Sequence, residues 1–351
     1  MIEADRWPEP DPMPWRFLPI SRFAQVASAW QRLHQKFDEA PLLDPLFITP
    51  LIEEFATGPE LVVHFEAPSL PGAIGILSRK GPLTWQTFQP ANAPLGLWMI
   101  DPEIEIDPLM GSLLSALPGA VMLVGLSQVD PDHLARPEPS KRLATFDYIH
   151  TARIEIAGSY ESYWAARGKN LRHNMKRQRN RLVRDGRTTR LEMLRDPPQM
   201  RTAVADYARL ESSGWKQAAA SAVHPDNAQG RFYTKMLGNF AERGEAVVYR
   251  FFYDDQLVAS DICLLRGKVL TILKTTHDES QKGTSPAHLM RHEVIKGAFR
   301  TGEIERIEFY GPAQDWHRRW TDDVRTMYHL NYYRSALILR LHGVVRLPDS
   351  R

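Results

Sequence analysis

The sequence predicts a mixed α/β fold built as two halves, and three observations carry that prediction. The chain has 351 residues, enough for two cores. Residues 246–277 hold three apolar runs, AVVYRFFYD, LVASDICLLR and VLTILKTTH, separated by turns at Asp254–Asp255 and Gly267, the pattern of an antiparallel meander. The last run passes directly into small residues, Gly283, Ser285, Pro286 and Ala287, and then into an amphipathic helix.

The elements follow in chain order. Residues 1–15 are acidic and proline-rich and are expected to be a disordered arm. A helix is expected over 21–37 with Ser21 as its N-cap, and another over 45–56. Strands are expected at 61–65, 72–78 and 83–88, a helix at 106–117 and a buried strand at 120–126. Residues 128–142 carry three prolines and no periodicity, which marks a seam; 1–140 and 141–351 are the expected domains. The second half reads as a strand at 145–156, one long helix at 160–185, a strand at 189–194, and helices at 198–215 and 229–244. After the meander and its helix come a strand at 304–311, a short Trp-rich helix and two last strands around 324–342.

Composition narrows the function classes. Lys+Arg number 44 and Asp+Glu 42, so affinity for nucleic acid or a membrane surface must come from a local patch. A single cysteine, Cys263, allows no internal disulfide and reads as a small core residue. The N-terminus lacks a signal-peptide pattern, and no run of 18 apolar residues occurs, so a cytoplasmic protein is expected. His288 and His292 stand at metal-ligand spacing, but no third ligand is evident and no metal is expected.

One patch stands out. RGKNLRHNMKRQRNRLVRDGR (167–187) holds nine cations against Asp185 alone. Trp164, Leu171, Met175 and Leu182 form its packed stripe, and the rest is a basic ridge, either a solvated face or a binder of phosphate-bearing ligands or RNA. Arg172, Lys176 and Arg179 fall in one row beside the stripe and are expected to face a substrate cleft, with Arg177, Arg181 and Arg184 on the outer face.

A strand that hands over to a helix N-terminus through small residues makes an anion site, since the first helical N–H groups lack partners and the dipole is positive there. Pro286 suits the first turn. An ordinary strand–turn–helix joint is the alternative. The order strand, strand, strand, glycine loop, helix, strand resembles the core of the GNAT acyltransferases, and QKGTSPA (281–287) approximates their pyrophosphate loop. The longer pattern resembles the CelD/BcsL-like acetyltransferases, a branch related to the FemAB peptidyltransferases. Leu171 to Leu182, Glu211 to Lys216, Lys274, His277–Asp278, Ser285–Pro286–Ala287 and Gly311 with Trp316–His317 and Trp320 carry it. Ala287 replaces a glycine, His277 a tyrosine and Trp316–His317 a Tyr-Lys pair of that pattern.

The resemblance implies a tandem GNAT-like fold whose second half is the better preserved. It implies acyl transfer, an acetyl or other acyl group passing from acyl-CoA to an amine by direct attack without a metal. Gln281, Gly283, Thr284, Ser285 and Ala287 are then the cofactor residues. Asp278, His277, Asp261, Tyr310 and His317 are the candidates for proton transfer. Lys216, Lys274, Trp215 and Trp316 join the basic row as candidate acceptor contacts. The expected partner is an amine-bearing acceptor, either a small molecule or a glycan precursor and able to carry phosphate. Two rivals remain: aminoacyl transfer from a charged tRNA, and a degenerate fold that binds nucleic acid or a protein partner.

Overall fold

The computed structural model describes residues 15–37, 40–66, 72–212, 223–281 and 283–345. Of the arm expected at 1–15, Trp15 instead opens a strand, while 1–14 and the candidates Trp215 and Lys216 lie outside the described residues. The chain forms two compact units, the first from the described parts of Met1–Glu39, Ala56–Tyr148 and Tyr328–Arg351, the second from Ala40–Phe55 and Ile149–Met327. The proline-rich segment at 128–142 therefore lies inside the first unit, and the chain crosses between units at Tyr148 and Ile149.

In chain order, β1 (Trp15–Pro19) is followed by a 3-10 turn over Ile20–Val26 and by α1 (Ala27–His34). Ser21 does not cap a helix there, because the segment winds as 3-10 until Ala27. Next come α2 (Pro45–Phe55), β2 (Leu61–Phe65), β3 (Ala73–Gly81), β4 (Thr84–Thr87), β5 (Trp98–Ile100), α3 (Ile106–Ala116) and β6 (Leu123–Val129). The second half holds β7 (Leu143–Glu155), α4 (Tyr160–Ala166), α5 (Lys169–Arg184), β8 (Thr189–Leu194), α6 (Pro197–Ser212), α7 (Ala228–Ala241), β9 (Ala246–Tyr253), β10 (Gln256–Arg266) and β11 (Val269–His277). It closes with α8 (Pro286–Thr301), β12 (Arg306–Phe309), α9 (Asp315–Arg318), β13 (Val324–Tyr333) and α10 (Ala336–Val345).

Two expectations are corrected. The helix expected over 160–185 is two, because Arg167 and Gly168 are extended and break it. The strand expected beyond 333 is α10, opened by the Ser335 carbonyl accepting from Leu339 N–H at 3.2 Å.

The two units share one pattern. In the first, β2, β3 and β4 are antiparallel neighbours, α3 crosses over, and β6 returns parallel to β4. In the second, β9, β10 and β11 are antiparallel neighbours, α8 crosses over, and β12 returns parallel to β11. The three adjacent strands expected from 246–277 are thus present. An outer strand precedes each meander, β1 on β2 and β8 on β9. Each parallel strand is then flanked by an antiparallel one, β13 on β6 and β7 on β12. In the first unit, Leu109, Met110, Leu113 and Leu114 of α3 fill a core with Val63, Leu77, Val124 and Tyr332. In the second, Val247, Tyr249, Phe251 and Tyr253 share one core with Leu171, Met175 and Leu182 of α5 and Met290, Val294 and Ala298 of α8. Arg250, with the opposite strand parity, pairs with Asp206 of α6 at 2.6 Å. No described helix is long and apolar enough to cross a membrane.

Candidate functional site

The site begins with one extra residue. Ile262 of β10 pairs with Lys274 and Cys263 with Ile272, so Leu273 has no opposite number and forms a β-bulge. A bulge bends its strand and raises the local twist. β12 pairs with β11 only as far as Ile272 opposite Phe309, just before that bulge. Beyond it, no described strand flanks Lys274–His277 on the β12 side. The two parallel strands therefore part, and backbone groups of Lys274–His277 are left to meet something other than a strand.

A cavity of about 310 Å³ lies there. Thr275, Thr276 and His277 of β11 line it, with Ser285, Ala287, His288 and Arg291 from the start of α8. Trp316 and Trp320 give it an aromatic wall, and Glu211 and Glu279 complete the lining.

Pro286 opens α8, and Ser285 before it is left-handed, at φ 41° and ψ 66°. Gln178 of α5 donates to Ser285 Oγ at 3.1 Å, and Tyr253 donates to the Thr284 carbonyl at 3.4 Å. Thr284 N–H closes a turn on the Gln281 carbonyl at 3.2 Å. Gly283 lets Arg181 lie close against the loop: a Cβ there would stand 2.0 Å from Arg181 Nη1 and displace the guanidinium. A second hollow, about 890 Å³, runs along α5 from this loop. Lys176, Arg177, Arg181 and Arg184 line it with Gly283 and Ser285.

The expected basic row does not hold together. Gln178 extends the packed stripe, so Arg172 and Arg179 flank it on one side and Arg181 on the other. Arg179 turns to α8, donating to His292 Nδ1 at 2.6 Å and pairing with Glu293. Lys176 alone of the row lines the hollow, together with the three arginines expected to face outward.

The proton-transfer candidates separate. His277 is exposed and lines the cavity. Asp278 accepts from Gln256 Nε2 and Ser280 N–H at 2.9 Å and from Gln281 Nε2 at 3.2 Å. Burial pushes its carboxyl up, but the hydrogen bonds from Ser280 and Gln281 outweigh it and hold it below the ordinary aspartate value. It caps the turn. Asp261 is fully buried and pairs with Arg291 at 2.7 Å. His317 is buried, and its Nδ1 accepts from Gln314 N–H at 3.0 Å in a capping box. Burial and Arg291 hold its pKa at about 4, so it is neutral with its proton on Nε2. The Tyr310 ring lies 5.3 Å from the Arg325 guanidinium. Lys274 pairs with Glu211 at 3.5 Å.

Two site residues, Glu211 and Arg291, were not singled out for chemistry in the sequence, and His288 was weighed only as a metal ligand. Glu211 accepts from Val223 N–H at 2.7 Å and from Tyr207 at 3.3 Å. Burial and Glu211 together push the Tyr207 hydroxyl well above its ordinary pKa. His288 Nδ1 accepts from Trp320 Nε1 at 3.2 Å, and burial, Arg319 and Arg291 lower its pKa to about 4. Its Nε2 therefore carries the proton, and His288 is a donor at the cavity wall. His292 bonds Tyr160 and Arg179. Among the described residues, no group of three or more His, Cys, Asp and Glu side chains is placed to hold a metal ion. A cation on the buried stripe of α8 was the signal for Arg291.

Residues 169–318 match the family model for an acetyltransferase (GNAT) domain. No curated protein matches the chain. Among solved structures, the chain is similar to the C-terminal domain of a candidate lysylphosphatidylglycerol synthetase from Agrobacterium fabrum, at 15% identity and TM-score 0.52, over 92% of this chain and 97% of that one. It is also similar to FemX, at 10% identity and TM-score 0.51, over 89% of this chain and 97% of that one. At such identity the likeness is one of fold. With the meander–helix–parallel strand pattern present in both units, the architecture is a tandem GNAT-like fold, and the GNAT acetyltransferase domain matched over residues 169–318 makes the chain an acyltransferase.

Proposed function

We propose that the second unit transfers an acyl group from acyl-coenzyme A to an amine acceptor by direct attack. The parting of β11 and β12 at the Leu273 bulge, beside the N-terminus of α8, carries this reading. The residues fit the co-substrate. Gly283, Ser285 and Ala287 offer backbone and helix-dipole donors to a pyrophosphate, Arg181 stands against Gly283, and a Cβ at that position would crowd the cradle. Acyl-coenzyme A supplies an activated thioester carbonyl. The β11 backbone beyond the end of its pairing with β12 and the His288 Nε2–H are the donors suited to charge developing on its oxygen. Its exposure at the cavity supports His277 as the group that takes the amine proton, whereas Asp278 is tied into its turn and His317 into its capping box. The motif residues from Leu171 to Trp320 support membership of the CelD/BcsL-like branch.

The cationic hollow along α5 favours a second reading, an aminoacyl-tRNA donor, in keeping with the fold shared with FemX. The two are separated by calorimetry of the full chain with acetyl-coenzyme A and with charged tRNA at two salt concentrations. The first reading expects thioester binding with a 1:1 stoichiometry. Tight, steeply salt-dependent tRNA binding without thioester binding would replace it with the second.

A further inference from the structure

The cavity holds an arginine whose donors are only partly used. Arg291 is 2% exposed, and its Nη2 meets Asp261 Oδ2 at 2.7 Å, in ion-pair range though out of hydrogen-bond alignment. Its guanidinium lies 5.2 Å from the Phe309 ring centroid. Nε and Nη1 are buried and have no hydrogen-bond partner among the described residues. A buried charged donor without an acceptor is costly, and such groups are retained where something meets them. The same side chain lines the cavity next to the edge of β11.

Of the other ionisable groups of the cavity, Glu211 and His288 are engaged and the remaining two are at the surface. Glu211 is tied to Lys274, Val223 and Tyr207. His288 is held by Trp320 and is neutral, and His277 and Glu279 are exposed. The walls from Trp316, Trp320 and Ala287 are apolar. A planar, singly charged acceptor matches a guanidinium fork. A phosphate dianion would bring a second charge toward the buried carboxylates of Glu211 and Asp261.

Taking the acyl-transfer reading as given, we propose that the cavity takes a carboxylate-bearing substrate and that the free donors of Arg291 receive the carboxylate. Asp261 is then a positioning residue that fixes the guanidinium. Two sources share this chemistry: the distal carboxylate of a dicarboxylic acyl group, and the carboxylate of an amino-acid acceptor whose amine is acylated.

Calorimetry on the full chain distinguishes them. One arm compares succinyl- with butyryl-coenzyme A. The other compares L-lysine with cadaverine, and L-phenylalanine with phenethylamine, each with coenzyme A present. The carboxylate member is expected to bind about ten- to a hundredfold tighter in one arm, and the arm names the source. Arg291→Lys, which keeps a charge beside Asp261, is expected to erase that preference. If this variant does not fold, the double substitution Asp261→Asn with Arg291→Gln removes both charges together and serves the same comparison. Coenzyme A binding with no carboxylate preference in either arm overturns this inference alone, as does a preference that survives both variants. Absence of coenzyme A binding overturns the acyl-transfer reading beneath it.

Discussion

Gly283→Val tests the phosphate cradle through one small volume. The first atom added stands 2.0 Å from Arg181 Nη1 and 2.6 Å from its Cζ, so the guanidinium must leave. Arg181 is half exposed, and its pairing with Asp185, at 3.6 Å, is a surface contact, so the displacement costs the fold under about 1 kcal/mol. Gly283 is not in the left-handed region, so valine brings no backbone strain of that kind. A bound pyrophosphate loses the Arg181 contact and close approach to the loop. A charge-assisted hydrogen bond contributes about 1.5–3 kcal/mol, and about 1.4 kcal/mol is tenfold in affinity, so coenzyme A should bind about ten- to a hundredfold more weakly. Calorimetry with coenzyme A, paired with a thermal melt, reads both quantities. Arg181→Ala should reproduce the loss, and Arg179→Ala should not, because Arg179 is committed to His292 and Glu293. Wild-type affinity in Gly283→Val with an unchanged melt would refute the placement of the pyrophosphate.

Other consequences follow from the same geometry. Gln178→Ala removes the tie to Ser285 and should weaken coenzyme A binding by about fivefold, for a loss of about 1 kcal/mol, with little change in melting temperature. Asp261→Ala strands Arg291 in the core and should destabilise the fold by about 3–5 kcal/mol in urea titration; a loss below about 1 kcal/mol would deny that the pair is buried. His288, His292 and His317 have pKa values near 4 in the fold against 6.5 when unfolded, so the unfolded chain binds more protons between those values. Stability should therefore fall as pH drops from about 6.5 toward 4, and His317→Gln should flatten that fall; calorimetric melts across this range decide it.

Much of this was readable from the chain because it was local. Alternation and tight turns mark β9 to β11, and Leu171, Met175 and Leu182 mark the buried stripe of α5. Gly283 and Pro286 mark the loop and helix start. What escaped depends on pairing across distance. The Leu273 bulge is a mismatch between two strands, and neither strand reveals it alone. Asp261 reads as a candidate acid in its own strand, and its partner Arg291 is thirty residues away in sequence. Gln178 is a polar residue on an apolar stripe, meaningful only once Ser285 stands opposite. The run ALILRLHGVV has no turn signal inside it, and an apolar run of that length suits a strand or a helix equally until its neighbours are known.

The account turns on whether the gap between β11 and β12 holds the acyl donor. A crystal structure of the full chain grown with coenzyme A tests that most directly. The account predicts the pyrophosphate against the Gly283–Ala287 backbone and Arg181, with the thiol end beside Lys274–His277 and the Arg291 cavity. Coenzyme A bound elsewhere, with the Lys274–His277 edge and the Gly283 loop untouched, would contradict it.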